Sequence, residues 1–204
     1  TDFRASVFLP ASEDSCPLRR ALNAVKQAVE ITRRWVEQVV IGLHLCPFAR
    51  TPFEAGKIRY TLGEAGTVDD AYAALVREIA DFAQLPAEQA ETGLFILPQG
   101  LEDFSEYLLV LEEAQAALRE SGLDDMLQLA SFHPDYCFDG LDADDPANYS
   151  NRSPFPMFHL IRQDGLAAAL ESWPDPASIP GRNIALLREM GLDAIHKLLD
   201  RIGK

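Results

Sequence analysis

Apolar residues recur along this chain first at helical spacing and then in short runs typical of strands. A stripe at helical spacing predicts a long first helix over residues 22–45, formed by Ala28, Ile31, Trp35, Val39 and Leu43. Pro47 is expected to end this helix, since proline cannot continue the backbone hydrogen bonding. Residues 1–21 are interpreted as an irregular leader, because prolines and serines interrupt any period there.

Beyond Pro47, short apolar runs alternate with amphipathic segments. The runs predict strands over 58–62, 92–97, 127–132 and 155–161. The segments between and after them predict helices over 68–82, from 101 or 103 to 120, and over 164–172 and 183–202. Thr67 is placed to cap the first of these helices. We therefore expect an α/β or α+β fold, with residues 22–204 forming one domain around a mixed sheet of about four strands.

The net charge of the chain limits the classes of partner that it is expected to bind. Lys and Arg number 18 against 32 Asp and Glu, which gives a formal net charge of −14. Such a chain repels phosphate backbones and anionic lipid, so we expect no nucleic-acid partner and no membrane partner. A small anionic ligand stays compatible with this charge, because a few arginines can set the local field. The oligomeric state is left open by the sequence.

The cysteines indicate a reducing environment. The chain has three cysteines, Cys16, Cys46 and Cys137. Their number is odd, they are widely spaced, and no CxxC pair is present. A zinc ribbon or a thioredoxin-type motif is therefore excluded, and a cytoplasmic location is expected. No apolar run reaches the roughly 20 residues of a membrane helix.

Residues 132–162 are the candidate functional segment, because histidines and a dense polar run lie there between apolar runs. His133 follows a predicted strand, and in open α/β sheets ligands bind outside the carboxyl ends of strands. We interpret His133 as a candidate general acid or base. The alternative is a histidine that satisfies a loop carbonyl.

His159 lies within the last predicted strand, between Met157 and Ile161. It is either a hydrogen-bonded core residue or a second catalytic histidine. If the two strands are neighbours, His133 and His159 converge, and two imidazoles then offer a transition-metal site. The spacing of the histidines matches no compact metal motif, so no metal ligand and no cofactor is assigned.

The run from Asn148 to Ser153 has the residue types that recognise anions. Arg152 offers a planar fork of donors to a carboxylate or phosphate, and Asn148, Asn151 and Ser153 add further polar groups. Tyr136 completes the candidate substrate-binding set. A surface loop whose Asn side chains build turns, or an ion pair of Arg152 with a neighbouring aspartate, would explain the same residues.

Cys46, which follows the first helix, is a candidate nucleophile. The carboxyl end of a helix disfavours a thiolate, so a nearby cation would be needed to activate it. A buried structural cysteine is the alternative.

Three motifs together resemble a family of uncharacterised bacterial proteins, a domain of unknown function. The motifs are Leu45-Cys46-Pro47-Phe48-Ala49, His133-Pro134-x-Tyr136-x-Phe138, and the long run from Asn148 to Arg162. The resemblance covers residues 29–202, and it implies a soluble bacterial protein without an established activity. The family commonly has Asn where this chain has His44.

Three hypotheses follow from these residues. The first is an enzyme, such as a hydrolase or transferase, that acts on a small anionic substrate, with His133 as general acid or base and His159 or Cys46 assisting. The second is a transition-metal site built on His133 and His159. The third is a non-catalytic binding module in which the polar residues lock a long loop onto the sheet.

Overall fold

A computed structural model describes residues 17–171 and 173–203, and four strands form one mixed sheet within them. The strands are β1 (Ile58–Leu62), β2 (Thr92–Ile96), β3 (Leu127–Phe132) and β4 (Met157–Arg162). Their order across the sheet is β1-β2-β4-β3. β1 and β2 are parallel, whereas β4 is antiparallel to both of its neighbours. The prediction of a mixed four-stranded sheet with helices packed on it is confirmed, and the fold is α+β.

In the part of the chain that the structure describes, six α-helices surround the sheet: α1 (Pro17–Trp35), α2 (Arg50–Glu54), α3 (Val68–Gln84), α4 (Phe104–Glu120), α5 (Gln163–Glu171) and α6 (Ile179–Ile202). The described part of α1 includes residues 17–21 of the predicted leader. The rest of that leader with Cys16, and Ser172 at the predicted end of α5, lie outside the described residues. In the described ranges, no helix is both long enough and apolar enough to cross a bilayer.

A six-residue π-helix, Val36–Ile41, continues α1 without a break. The amide of Gly42 donates to the carbonyl of Glu37 at 2.9 Å, an i to i+5 bond. A Cβ at this position would lie 2.2 Å from the carbonyl oxygen of Gln38, so glycine is needed to close the wider turn. The π-helix therefore replaces the regular end that the apolar stripe predicts for the first helix.

Side-chain caps fix where α3 and α4 begin. The hydroxyl of Thr67 accepts from the amide of Asp70 at 3.1 Å, and the carboxylate of Asp103 accepts from the amides of Ser105 and Glu106. Each cap satisfies donors that the first turn of a helix leaves unpaired. The predicted cap at Thr67 is confirmed.

The sheet separates two apolar cores. α3 and α4 cover one face, against which Phe158 and Leu160 pack. α1, the π-helix and α6 cover the other face, where Met157 is buried. Because side chains alternate along a strand, His159 lies on the same face as Met157, away from α3 and α4.

β1, β2 and β3 run in the same direction, so their carboxyl ends meet at one edge of the sheet. β4 begins at that edge, since Met157 pairs with both Ile96 and Phe132. The connection over residues 133–156, which holds most of the candidate residues, therefore lies at this edge.

Candidate functional site

His133 follows β3 directly and is fully buried. Its Nδ1 accepts from the amide of Asp135 at 3.0 Å, and its Nε2 donates to the carbonyl of Leu101 at 2.9 Å. The ring also packs between Phe104 and Tyr107. Both ring nitrogens are bonded to backbone, which corresponds to the histidine that satisfies a loop carbonyl.

The two asparagines hold the connection closed. Asn148 is fully buried; its Oδ1 accepts from the amide of Phe138 at 3.0 Å, and its Nδ2 donates to the carbonyl of Asp142 at 2.9 Å. Nδ2 of Asn151 donates to the carbonyl of Ser131 at 3.1 Å. These bonds give buried backbone groups the partners that a long connection otherwise lacks.

The guanidinium of Arg152 donates hydrogen bonds to backbone carbonyls of the same connection. Its Nε donates to the carbonyl of Tyr136 at 3.0 Å and its Nη2 to the carbonyl of Ala143 at 2.8 Å, while the guanidinium lies 4.7 Å from the ring centre of Tyr149. The alternative ion pair with a neighbouring aspartate does not form. Asp145 instead pairs with Arg188 at 2.6 Å, and this guanidinium lowers the pKa of the Asp145 carboxyl.

Tyr136 and Ser153 also contact the chain itself. The Tyr136 ring packs against Phe104 and Phe138, and its hydroxyl accepts from Ser131 at 3.3 Å. The hydroxyl of Ser153 donates to the carbonyl of Phe155 at 2.7 Å. The predicted substrate-binding residues are thus brought together, but the contacts they make are with backbone groups and with side chains of the chain itself.

Replacing Arg152 with alanine is expected to lower the free energy of unfolding by about 1–2 kcal/mol, because two carbonyls lose their donor. Urea denaturation measures this change. Arg50→Ala is the control: Arg50 is exposed and pairs with Glu54 one helical turn away, so its loss is expected to cost less than about 0.5 kcal/mol. Equal stability of the two variants would contradict the structural role of Arg152.

His159 lies on the opposite face of the sheet from His133. It pairs with Ala130 across β3 and β4 and faces the ring of Phe132, whose centre lies 5.9 Å away. His133 packs instead against α4, so the predicted convergence of the two imidazoles is wrong. Within residues 17–171 and 173–203, no group of three or more His, Cys, Asp or Glu side chains could hold a metal ion.

A cavity of about 270 Å³ opens on the His159 face, between the sheet, the π-helix and α5. Most of the side chains that line it are apolar: Val36, Val40, Phe48, Pro52, Ile58, Leu94, Phe132, Ile161 and Leu166. A few polar groups interrupt this lining, namely Trp35, Cys46, Glu91, Thr92, His159 and Arg162. A concave apolar surface with a few convergent polar groups is the usual form of a small-molecule site.

Thr92 fixes the tautomer of His159. The Thr92 hydroxyl donates to the carbonyl of Leu160 at 2.8 Å, so its oxygen is the acceptor for Nε2 of His159 at 2.6 Å. Nε2 therefore carries the proton, and Nδ1 is left as an acceptor with no hydrogen bond from any described residue. Burial lowers the pKa of His159 to about 4, which keeps the ring neutral at physiological pH.

Trp35 lines the same cavity and has an unpaired buried donor. Its side chain is 1% exposed, and its indole N–H has no hydrogen-bond partner among the described residues. A buried donor without a partner is costly, so it is a notable exception in a native core. Two residues of the lining thus have an unpaired polar atom, a donor in Trp35 and an acceptor in His159.

The two charged side chains of the lining are already engaged. Glu91 pairs with Lys57 at 2.8 Å. Arg162 donates to the carbonyls of Phe82, Leu85 and Ala90 and stacks over the Phe82 ring. The cation thus binds the carboxyl end of α3, where a positive charge is favourable.

Cys46 lines the cavity and is half-buried. Burial raises the pKa of its thiol, and this effect exceeds the lowering by two backbone hydrogen bonds and by Arg182. The thiol is therefore protonated at neutral pH, in agreement with the expectation that a thiolate is disfavoured at the end of the first helix.

The residue before the motif Leu45-Cys46-Pro47-Phe48-Ala49 has an unusual backbone conformation. His44 has φ +55°, in the left-handed region, and its carbonyl accepts from the guanidinium of Arg182. Asn is the residue other than glycine that most readily adopts this conformation, and His is also enriched there. The left-handed φ thus explains why both Asn and His suit this position.

Sequence reasoning missed Thr92 and Trp35 as site residues. Thr92 was one more β-branched residue at the start of a strand, and Trp35 was one member of the apolar stripe. Neither pattern distinguishes a cavity wall from a packed core. The π-helix that follows Trp35 is a kind of turn often found at functional sites, but it is visible only in the structure.

Comparison with known proteins yields one match. The model of a family described as "Protein of unknown function (DUF1415)" matches residues 27–197. Neither a curated protein nor a solved structure matches the chain.

Proposed function

We propose that this chain, which belongs to the DUF1415 family, binds a small uncharged organic molecule in the cavity beside His159. The observation that carries the proposal is one apolar cavity lined both by Trp35, whose buried indole N–H is unpaired, and by His159, whose Nδ1 accepts no hydrogen bond from a described residue. A ligand with a hydroxyl or amide group would satisfy both groups and bury its apolar part against the walls.

The volume of the cavity sets the size of the ligand. Apolar cavities of about 150 Å³ in other proteins bind benzene. By that scale a cavity of about 270 Å³ holds roughly ten non-hydrogen atoms. The expected ligand is therefore a bicyclic ring system or a chain of comparable size.

The ligand is expected to be uncharged where it enters this cavity. Moving an isolated charge from water into an apolar site is strongly unfavourable unless a partner compensates it. Arg162 and Glu91, which could compensate a charge, are already bound by backbone carbonyls and by Lys57. Anion recognition by Arg152 stays a prediction, and the contacts of Arg152 favour the loop-locking role instead.

His159 is better suited to recognition than to proton abstraction. General bases work best when their pKa lies near the operating pH. A pKa of about 4 makes the ring a weak base at neutral pH but a permanent hydrogen-bond acceptor. The non-catalytic binding module thus has the most support. Hydrolase or transferase chemistry, a bacterial source and a cytoplasmic location stay predictions.

The proposal is tested with 2-naphthol, an uncharged bicyclic alcohol of suitable size, titrated against the protein by isothermal calorimetry. Saturable binding at one site is expected. Leu166→Trp fills the cavity and is expected to weaken binding by about tenfold or more. Leu109→Trp, on the exposed side of α4, is the matched control and should leave binding unchanged.

His159→Leu removes the acceptor without opening the cavity and is expected to weaken 2-naphthol binding by roughly fivefold to tenfold. Absence of saturable binding to the unaltered protein, or equal affinities of the Leu166→Trp and Leu109→Trp variants, would overturn the proposal.

A further inference from the structure

A second cavity, of about 630 Å³, lies on the same face of the sheet as the cavity beside His159. We call the cavity beside His159 the inner cavity and the second one the outer cavity. Val40, Cys46 and Phe132 line both of them. The two cavities are therefore neighbours, and these three side chains lie where the cavities adjoin.

Most polar groups of the outer cavity already form hydrogen bonds within the chain. Asn151 donates to the carbonyl of Ser131, and Asn183 donates to the carbonyl of Leu45 at 2.7 Å. Asp139 also lines this cavity, and its carboxylate has no hydrogen bond or ion pair with any described residue. Among the residues that the structure describes, no Lys, Arg or His side chain lines the outer cavity. The outer cavity thus presents an unpaired negative charge.

We propose that the two cavities form one site for an elongated molecule with an uncharged polar end at His159, an apolar middle beside Cys46 and a cationic end at Asp139. This inference rests on the proposed function, because it takes the inner cavity to be a ligand site. It adds the length of the ligand and the sign of the charge at its outer end.

Two physical reasons favour this orientation. The charged end stays near water in the outer cavity, where Asp139 is exposed, and the uncharged end enters the apolar inner cavity. A cation is also attracted by the net charge of −14, which repels a carboxylate. The ligand would therefore resemble a long-chain amino alcohol more than a fatty acid.

The length is tested with a series of 1-alkanols from hexanol to dodecanol, each below its solubility limit in water. Affinity is expected to rise about fourfold per methylene and to continue past roughly ten non-hydrogen atoms, where the inner cavity is full. Cys46→Leu places a larger side chain where the two cavities adjoin. The rise in affinity with chain length should therefore stop at a shorter alkanol. Cys46→Ala, the matched control, should keep the full rise.

The outcomes separate the two proposals. If short alkanols bind but the rise stops near ten non-hydrogen atoms in the unaltered protein, the shared site is overturned and the inner cavity remains a ligand site. If no alkanol binds, the proposed function fails as well.

The charge is tested with 12-amino-1-dodecanol against 12-hydroxydodecanoate. The amine is expected to bind roughly threefold to fivefold more tightly at low salt. Asp139→Asn should reduce that preference, whereas Asp142→Asn, at an exposed position of the same loop outside the outer-cavity lining, should preserve it. Equal affinities, tighter binding of the carboxylate, or an unchanged preference in Asp139→Asn would overturn the assignment of a cationic end.

Discussion

Replacing His133 with alanine is expected to lower the free energy of unfolding by roughly 3–4 kcal/mol. The imidazole is fully buried and bonds two backbone groups, the amide of Asp135 and the carbonyl of Leu101. Its removal leaves both groups without their partner and opens a gap beside Phe104 and Tyr107. Urea denaturation at pH 7 measures the loss, and affinity for 2-naphthol in the folded variant should stay unchanged.

The expected loss exceeds that for Arg152 because His133 also holds a strained residue. Leu101 has φ +57°, an unfavourable conformation for a side chain of this size, and it is buried. Such residues persist only where surrounding contacts enforce them. The bond from His133 to the Leu101 carbonyl is one of those contacts.

His44→Asn, which removes an imidazole from an exposed position, is the control and is expected to change stability by less than about 0.5 kcal/mol. A His133→Ala variant as stable as this control would show that His133 is not a structural residue. Lost 2-naphthol binding in a stable His133→Ala variant would return His133 to the functional site.

The sequence predicts the elements well, because their signals are local. The alternation in residues 127–132 and the caps at Thr67 and Asp103 act within a few residues. The order of the strands is different, since β4, the last strand along the chain, lies between β2 and β3 in the sheet. No local pattern specifies that insertion or the register that results from it.

The register also decides which of the predicted site residues lie on the same face of the sheet. Pairing of Ala130 with His159 places Phe132 on the His159 face and His133 on the other. The polar run from Asn148 to Arg152 has the composition of an anion site, but a long connection needs the same side chains to satisfy its backbone. The composition of this segment therefore shows that its side chains form many hydrogen bonds. It does not show whether their partner is a ligand or the backbone of the connection.

Acid is expected to destabilise this protein through His159 between about pH 6.5 and pH 4. In the unfolded chain the ring takes up a proton near pH 6.5, whereas burial in the folded protein lowers the pKa of His159 to about 4. Between these values the unfolded state binds more protons, so the free energy of unfolding decreases as the pH falls. The contribution of this one group is on the order of 3 kcal/mol, and it is complete below pH 4.

The measurement is urea denaturation at several pH values for the unaltered protein, His159→Gln and His44→Asn. Carboxyl groups with lowered pKa, such as Asp145, destabilise all three proteins in acid alike, so the difference between the curves isolates the imidazole. Glutamine keeps a donor for the Thr92 hydroxyl but does not titrate, and its curve should therefore be flatter between pH 6.5 and pH 4. The His44→Asn curve should run parallel to that of the unaltered protein. Parallel curves for His159→Gln and the unaltered protein would mean that the ring is not held neutral by burial, and the permanent acceptor on which ligand recognition depends would be lost with it.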